Sequence, residues 1–219
     1  VNRVYIFGGG SIDTDFVSSY MEAQTDGDRT IIAADGGLNV LHRMGIRPDV
    51  ILGDFDSVHQ EWLSLYAADS RIRLERFPTH KDYTDMELAV ELGLELAADE
   101  LVLFGATGTR LDHVIGNVFA LQKPMERGIP AKLVDSNNVI QLLGPGNYEV
   151  CRTALFGKYV SFLPYTERAS GITLTGFLYP LDEAEMVRGT TLGISNELAE
   201  ERGVVSVQKG ILIFIQSRD

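Results

Sequence analysis

Short apolar runs, each closed by a turn signal, alternate with helical patterns through the first two-thirds of the chain. Residues 4–7 end in Gly8-Gly9-Gly10, 30–34 in Asp35-Gly36-Gly37, and 49–52 in Gly53-Asp54. Residues 101–104 close at Gly105, and 131–134 at Asp135-Ser136. Runs this short and this uniformly apolar predict parallel strands buried on both faces. Between them, residues 85–98 put Met86, Ala89, Val90, Gly93, Leu96 and Ala97 on one helical face. A second helix is predicted from about 111 to 127, with Val114, Val118, Leu121 and Met125 at helical spacing. Strands alternating with helices imply βαβ units, and so a doubly wound, Rossmann-like α/β domain with a parallel sheet. Ligands of such sheets sit beyond the carboxyl ends of the strands, which directs attention to the residues just after each run.

The pattern changes near Gly144-Pro145-Gly146. From there residues 148–152, 159–163, 172–178, 190–194, 204–207 and 211–216 read as short strands parted by Gly, Pro, Asn or charged turns. That spacing predicts a β-sandwich. The expected organisation is an α/β domain over 1–143 and a β-sandwich domain over 144–219.

Composition narrows the partners. The 219 residues carry 31 acidic and 19 basic side chains, a formal charge of −12. No Lys/Arg-rich run offsets it, so nucleic acid is not an expected partner. A chain this acidic needs metal ions or clustered bases to hold a nucleotide's phosphates. Cys151 is the single cysteine and no run approaches membrane-spanning length, so the reading is a cytoplasmic protein without membrane contact. The start of the chain shows no signal-peptide pattern.

Four acidic motifs follow predicted strand ends or open predicted helices: Asp35-Gly36-Gly37, Gly53-Asp54-Phe55-Asp56-Ser57, Lys81-Asp82-Tyr83-Thr84-Asp85 and Arg110-Leu111-Asp112-His113. If strand geometry persists through them, Asp54 and Asp56 share a face and offer hard oxygens to Mg2+. The alternative is that Asp54 only caps a turn and Asp56 only caps the following helix. Thr84 with Glu87 forms a capping-box pattern, so a helix begins at Asp85 and its positive end, with Lys81 just ahead, can hold phosphate. Complementing the helix dipole explains Asp85 well and Asp82 poorly. The loop Gly105-Ala106-Thr107-Gly108-Thr109 exposes backbone N–H groups before a helix for which Thr109 is the expected N-cap. Arg110 there would face bound phosphates. His113 reads as a metal ligand, a proton shuttle or a helix-packed side chain. Gly8-Gly9-Gly10-Ser11 lacks the dinucleotide fingerprint, and no Walker-type phosphate loop is present.

In this order and register, these motifs resemble the thiamine pyrophosphokinase family, and the resemblance covers almost the whole chain. Asn117, and in the β-rich part Tyr159-Val160-Ser161-Phe162-Leu163-Pro164, Tyr179-Pro180-Leu181 and Gly193-Ile194-Ser195-Asn196-Glu197, match as well. The resemblance implies a homodimer with active sites at the subunit interface, ATP and thiamine as substrates, and transfer of pyrophosphate to give thiamine diphosphate and AMP. It implies that Asp54, Asp56, Asp82 and Asp85 hold Mg2+ and triphosphate, with Arg110 and Asp112 in the catalytic group. Asp35, Lys81, Thr84, His113, Asn117, Ser195 and Asn196 are then substrate contacts, the last two to thiamine.

The expected mechanism is in-line attack of the thiamine hydroxyl on the β-phosphorus, with Asp82 or Asp112 taking the proton. Two other readings compete. Asp54-Phe55-Asp56-Ser57-Val58 also fits a haloacid-dehalogenase-type phosphatase nucleophile motif. A nucleotide- or thiamine-binding module without catalysis is the third.

Overall fold

The computed structural model describes residues 1–78, 82–108 and 110–219. The chain forms two compact units, Val1–Ser136 and Asn137–Asp219.

In the first unit the strands are β1 (Asn2–Phe7), β2 (Asp28–Ala34), β3 (Val50–Gly53), β4 (Arg73–Arg76), β5 (Glu100–Phe104) and β6 (Ala131–Val134). The helices are α1 (Thr14–Glu22), α2 (Gly37–Met44), α3 (Gln60–Ala67), α4 (Asp85–Glu95), α5 (Leu111–Ala120) and α6 (Gln122–Glu126). The strands pair in the order β4-β3-β2-β1-β5-β6, every pair parallel. Burial on both faces explains the unbroken apolar runs: Val4, Ile6, Phe7, Ile32, Leu52 and Leu101 are fully enclosed. The chain steps outward from β1 to β4, then returns to the other side of β1 as β5. The strand order therefore reverses between β1 and β5, the place where α/β sheets bind ligands.

Two helical expectations need adjustment. The run over 111–127 is two helices, broken at Leu121, because Pro124 has no N–H to continue the ladder. The helix expected over 85–98 ends at Glu95, and Ala97 takes a left-handed φ of 53°. Its start is as predicted: Thr84 caps α4 by accepting a hydrogen bond from the Glu87 N–H at 3.2 Å. No helix among the described residues is long and apolar enough to cross a membrane.

The second unit is all β: β7 (Asn138–Leu143), β8 (Gly146–Cys151), β9 (Tyr159–Pro164), β10 (Arg168–Thr175), β11 (Leu181–Val187), β12 (Arg202–Val207) and β13 (Leu212–Ser217). Strands β7-β13-β9 and β11-β10-β12-β8 pair antiparallel. Their inner faces share one core, in which Phe162 stacks on Phe214 and meets Phe177 edge-on. The division falls at residue 136 rather than 143, because residues 138–143 pair along β13 of the second unit. The predicted strand over 190–194 is instead a turn: the Gly193 carbonyl accepts from Phe162 N, and Leu192 and Ile194 point to solvent.

Candidate active site

A cleft of about 290 Å3 opens where the strand order reverses. Its floor is the loops after β1 and β5, drawn together by hydrogen bonds from Gly8 N to Phe104 O and from Gly10 N to Gly105 O. Gly10 is required here, since a Cβ on it would lie 2.4 Å from the Gly105 carbonyl oxygen. Asp35 and Ser57 line one side, Thr84, Asp85 and Met86 another, and Arg110, His113 and Asn117 a third. The start of α4 adds partial positive charge to one wall of this cleft.

Beside it Asp35, Asp54 and Asp56 each present a carboxylate oxygen, and the three atoms lie within 4.8 Å of one another. Asp54 and Asp56 do converge, but not by strand alternation. Strand β3 stops at Gly53, and Phe55 turns the chain with a left-handed φ of 67°, its ring only 2% exposed. The Asp56 N–H donates to Asp54 Oδ1 at 3.1 Å, which closes the turn. Ser57 Oγ stands 2.5 Å from Asp35 Oδ2 and 2.8 Å from Asp56 Oδ1, and its one proton serves one acceptor at a time. Asn39 of α2 braces the loop, donating to Ser57 O and accepting from His59 N.

Among the described residues Asp35 Oδ1 is buried with no hydrogen-bond partner. Burial raises the Asp35 carboxyl above its ordinary value, the Ser57 hydrogen bond opposes this, and the charge of Asp85 adds to the rise. A buried lone pair without a donor, beside two more carboxylates, fits a small divalent cation that prefers hard oxygen. The family resemblance implies a substrate contact at Asp35; the structure sets it beside Asp54 and Asp56. The signal was present in its position just after β2, since β2 and β3 are neighbours whose carboxyl ends must meet.

The other expected residues divide. Asp85 lines the cleft, whereas Asp82 is exposed and outside the three-carboxylate group. Lys81 and Thr109 lie outside the described residues; the residue at the N-cap of α5 is Arg110, with no side-chain cap hydrogen bond. Arg110 lines the cleft and grips Asp112 through Nε at 3.2 Å and Nη2 at 2.5 Å. That hydrogen bond holds the Asp112 carboxyl below its ordinary value, at about 2. Asp112 belongs to this ion pair and not to the acidic group. His113 is exposed on the cleft wall, so the helix-packed reading does not hold. Asn117 is buried and donates to Ala106 O at 2.8 Å, fixing the β5–α5 loop.

The second unit has its own apolar pocket, lined by Tyr179, Leu181, Leu192, Ile194, Ser195 and Asn196. Ser195 is exposed, with a left-handed φ of 57° and its N–H donating to Ser161 Oγ. Asn196 is 3% exposed, and its amide is engaged with backbone. Oδ1 accepts from Tyr179 N and Glu197 N, and Nδ2 donates to Tyr179 O. It positions Tyr179, whose ring is 61% exposed at the pocket.

An α/β unit built this way handles a nucleotide, and a β unit with a separate apolar pocket supplies room for a second substrate; the class so defined is a nucleotide-dependent phosphotransferase. Residues 22–133 match the family model for the thiamin pyrophosphokinase catalytic domain, and residues 147–212 that for its vitamin B1 binding domain. The chain is 40% identical to thiamine pyrophosphokinase of Bacillus subtilis over 196 residues, 89% of this chain and 90% of that one. A crystal structure of the enzyme from B. subtilis matches with a TM-score of 0.86 at 36% identity, covering 99% of both chains. One from Geobacillus thermodenitrificans matches at 0.85 and 38%, covering 99% and 98%. The chain belongs to the thiamine pyrophosphokinase family and is an ATP:thiamine diphosphotransferase. These matches give no support to the phosphatase reading or to a module without catalysis.

Proposed function

We propose that the cleft between β1 and β5 takes ATP, that Asp35, Asp54 and Asp56 hold Mg2+ against its phosphates, and that the pocket of the second unit takes thiamine. The observation that carries this reading is the three-carboxylate group at the edge of the cleft, in which Asp35 Oδ1 is buried and has no hydrogen-bond partner among the described residues. Bound there, magnesium would neutralise charge on the phosphoryl oxygens during in-line attack at the β-phosphorus. The protein's own part is positioning. The glycine loops leave room for phosphates, the start of α4 adds partial positive charge, and Asp85 completes the acidic wall. Incubation with ATP, Mg2+ and thiamine is expected to yield AMP and thiamine diphosphate in equal amounts. ADP with thiamine monophosphate would move the attack to the γ-phosphorus and sink this mechanism.

We propose further that the protein works as a cytoplasmic homodimer, each cleft meeting the second-unit pocket of the other copy. The apolar stripe of α5 supports an interface, since Leu111, Ile115 and Phe119 are 74%, 55% and 55% exposed at successive i+4 positions. Tyr179 supplies an aromatic face for thiamine, held in place by Asn196. A mixed dimer of Asp54→Asn and Tyr179→Ala chains then gathers both defects in one site and leaves the other intact. Mixing and reassociating the two variants should restore turnover at low thiamine, to roughly the share of intact sites formed. Absence of recovery, with mixed dimers demonstrated by mass, would refute the shared site.

A further inference from the structure

Along the rim of the first sheet, chemistry-bearing residues follow strand order. The cleft lies at β1 and β5, Asp35 follows β2, Asp54 and Asp56 follow β3, and Arg76 ends β4. Arg76 is in register with Gly53, and Phe77 N donates to Gly53 O at 3.0 Å, so the end of β4 is pinned to the start of the acidic turn. The Arg76 guanidinium lies over the ring of Phe55, 5.1 Å from its centroid. Phe55 is the buried residue between the two aspartates. The cation is thus fixed to the side chain around which both carboxylates turn.

An exposed arginine beside an acidic group ordinarily pairs with it. Among the described residues no carboxylate pairs with Arg76, whereas Arg73 on the same strand is tied to Glu75 and Arg110 across the cleft is tied to Asp112. Stacking on an aromatic face leaves the in-plane N–H groups of a guanidinium available for a fork of hydrogen bonds to phosphate. Neighbouring strands are about 4.8 Å apart, so the rim from β1 to β4 spans about 14 Å, the scale of an extended nucleoside triphosphate. A triphosphate brought to three carboxylates in a chain of charge −12 also needs positive charge that is not already neutralised.

We infer that Arg76 binds phosphate oxygens of the ATP polyphosphate, beyond the carboxylates as seen from the cleft, with Phe55 as the platform that holds its guanidinium in place. This rests on reading the rim as the ATP site. Full-length Arg76→Gln, Arg76→Lys and the control Arg73→Gln, each shown to melt cooperatively near wild type, would be titrated with Mg·ATP in the absence of thiamine, and with Mn2+ in the absence of nucleotide. Loss of a charge-assisted fork is expected to weaken Mg·ATP binding by about tenfold or more in Arg76→Gln. Arg76→Lys, which keeps the charge and loses the fork, should fall between it and wild type. Arg73→Gln should stay within about twofold of wild type, and Mn2+ affinity should not change in any variant. The same factor should appear in KM for ATP, with KM for thiamine unmoved. Arg76→Gln that bound Mg·ATP as well as Arg73→Gln would overturn the inference. So would a parallel loss of Mn2+ affinity, which would make Arg76 a brace for the acidic turn. Wild-type protein that bound no Mg·ATP would overturn the ATP-site reading itself, and the role of Arg76 with it.

Discussion

Asp54→Asn is expected to lower formation of thiamine diphosphate by more than about 10²-fold at saturating ATP, thiamine and magnesium, the scale on which removing one electrostatic contact to a transition state acts. The substitution is chosen to leave the turn intact. Asparagine keeps an oxygen to accept the Asp56 N–H, and Phe55 still anchors the turn in the core. What disappears is one of three negative charges within 4.8 Å. Loss of that charge should weaken Mn2+ binding in the absence of nucleotide as well. A drop in activity together with a loss of Mn2+ affinity is the mark of a cation site and not of a structural acid. Product assays at saturating magnesium and Mn2+ titration measure the two effects. Near-normal turnover in Asp54→Asn would end the assignment of Asp54 to the metal.

The limits of the sequence reading follow from physics that can be traced residue by residue. The central strands β1, β2, β3, β5 and β6 are legible because each ends in an apolar run buried on both faces, its polar residues (Arg3, Asp28, Glu100 and Lys132 among them) confined to its first half. Strand β4, Arg-Leu-Glu-Arg, sits at the edge of the first unit's sheet; its charges protect an edge and carry no strand signal. Strand β11 has one fully buried side chain, Met186, and Asp182, Glu183 and Glu185 face solvent, so its composition does not resemble a strand. The apolar residues at 192 and 194 signalled a strand but belong to an exposed surface around the second pocket. At the site, residue types were legible and their geometry was not. Asp54 and Asp56 meet through a left-handed Phe55, a conformation that no pattern of apolar and polar positions encodes. Asp35 joins them because β2 and β3 are neighbours, a fact of sheet order and not of spacing along the chain. Asn196 enters the expected thiamine contacts through the family resemblance; that its amide also holds Tyr179 through backbone hydrogen bonds is a matter of three-dimensional contact that the sequence does not carry.

The closeness of approach that makes this site possible can itself be measured. Gly37 opens α2 two residues after Asp35, where a Cβ would lie 1.8 Å from the Phe7 carbonyl oxygen and 2.5 Å from its carbon. Both atoms belong to the backbone of β1, the central strand, so no side chain can swing aside to relieve the overlap. Gly37→Ala must push α2 away from β1, carrying with it Asp35 and the Asn39 that braces Ser57. The expected cost is about 3 kcal/mol or more, the upper range for overpacking a rigid core. At the other end of the same helix Gly45 takes a left-handed φ of 67° with nothing within 4 Å of a built Cβ. Gly45→Ala therefore meets only conformational strain, and its cost should be about 1 kcal/mol. Urea unfolding of the two variants separates the effects, because they share a helix and a change in chemistry and differ in what the new methyl group meets. If both cost about 1 kcal/mol, the junction of α2 with β1 can open without penalty, and the tight packing argued for the cleft would be wrong. If Gly37→Ala alone is severe, it should also weaken Mg·ATP binding in whatever fraction remains folded, since Asp35 is displaced from the group it completes.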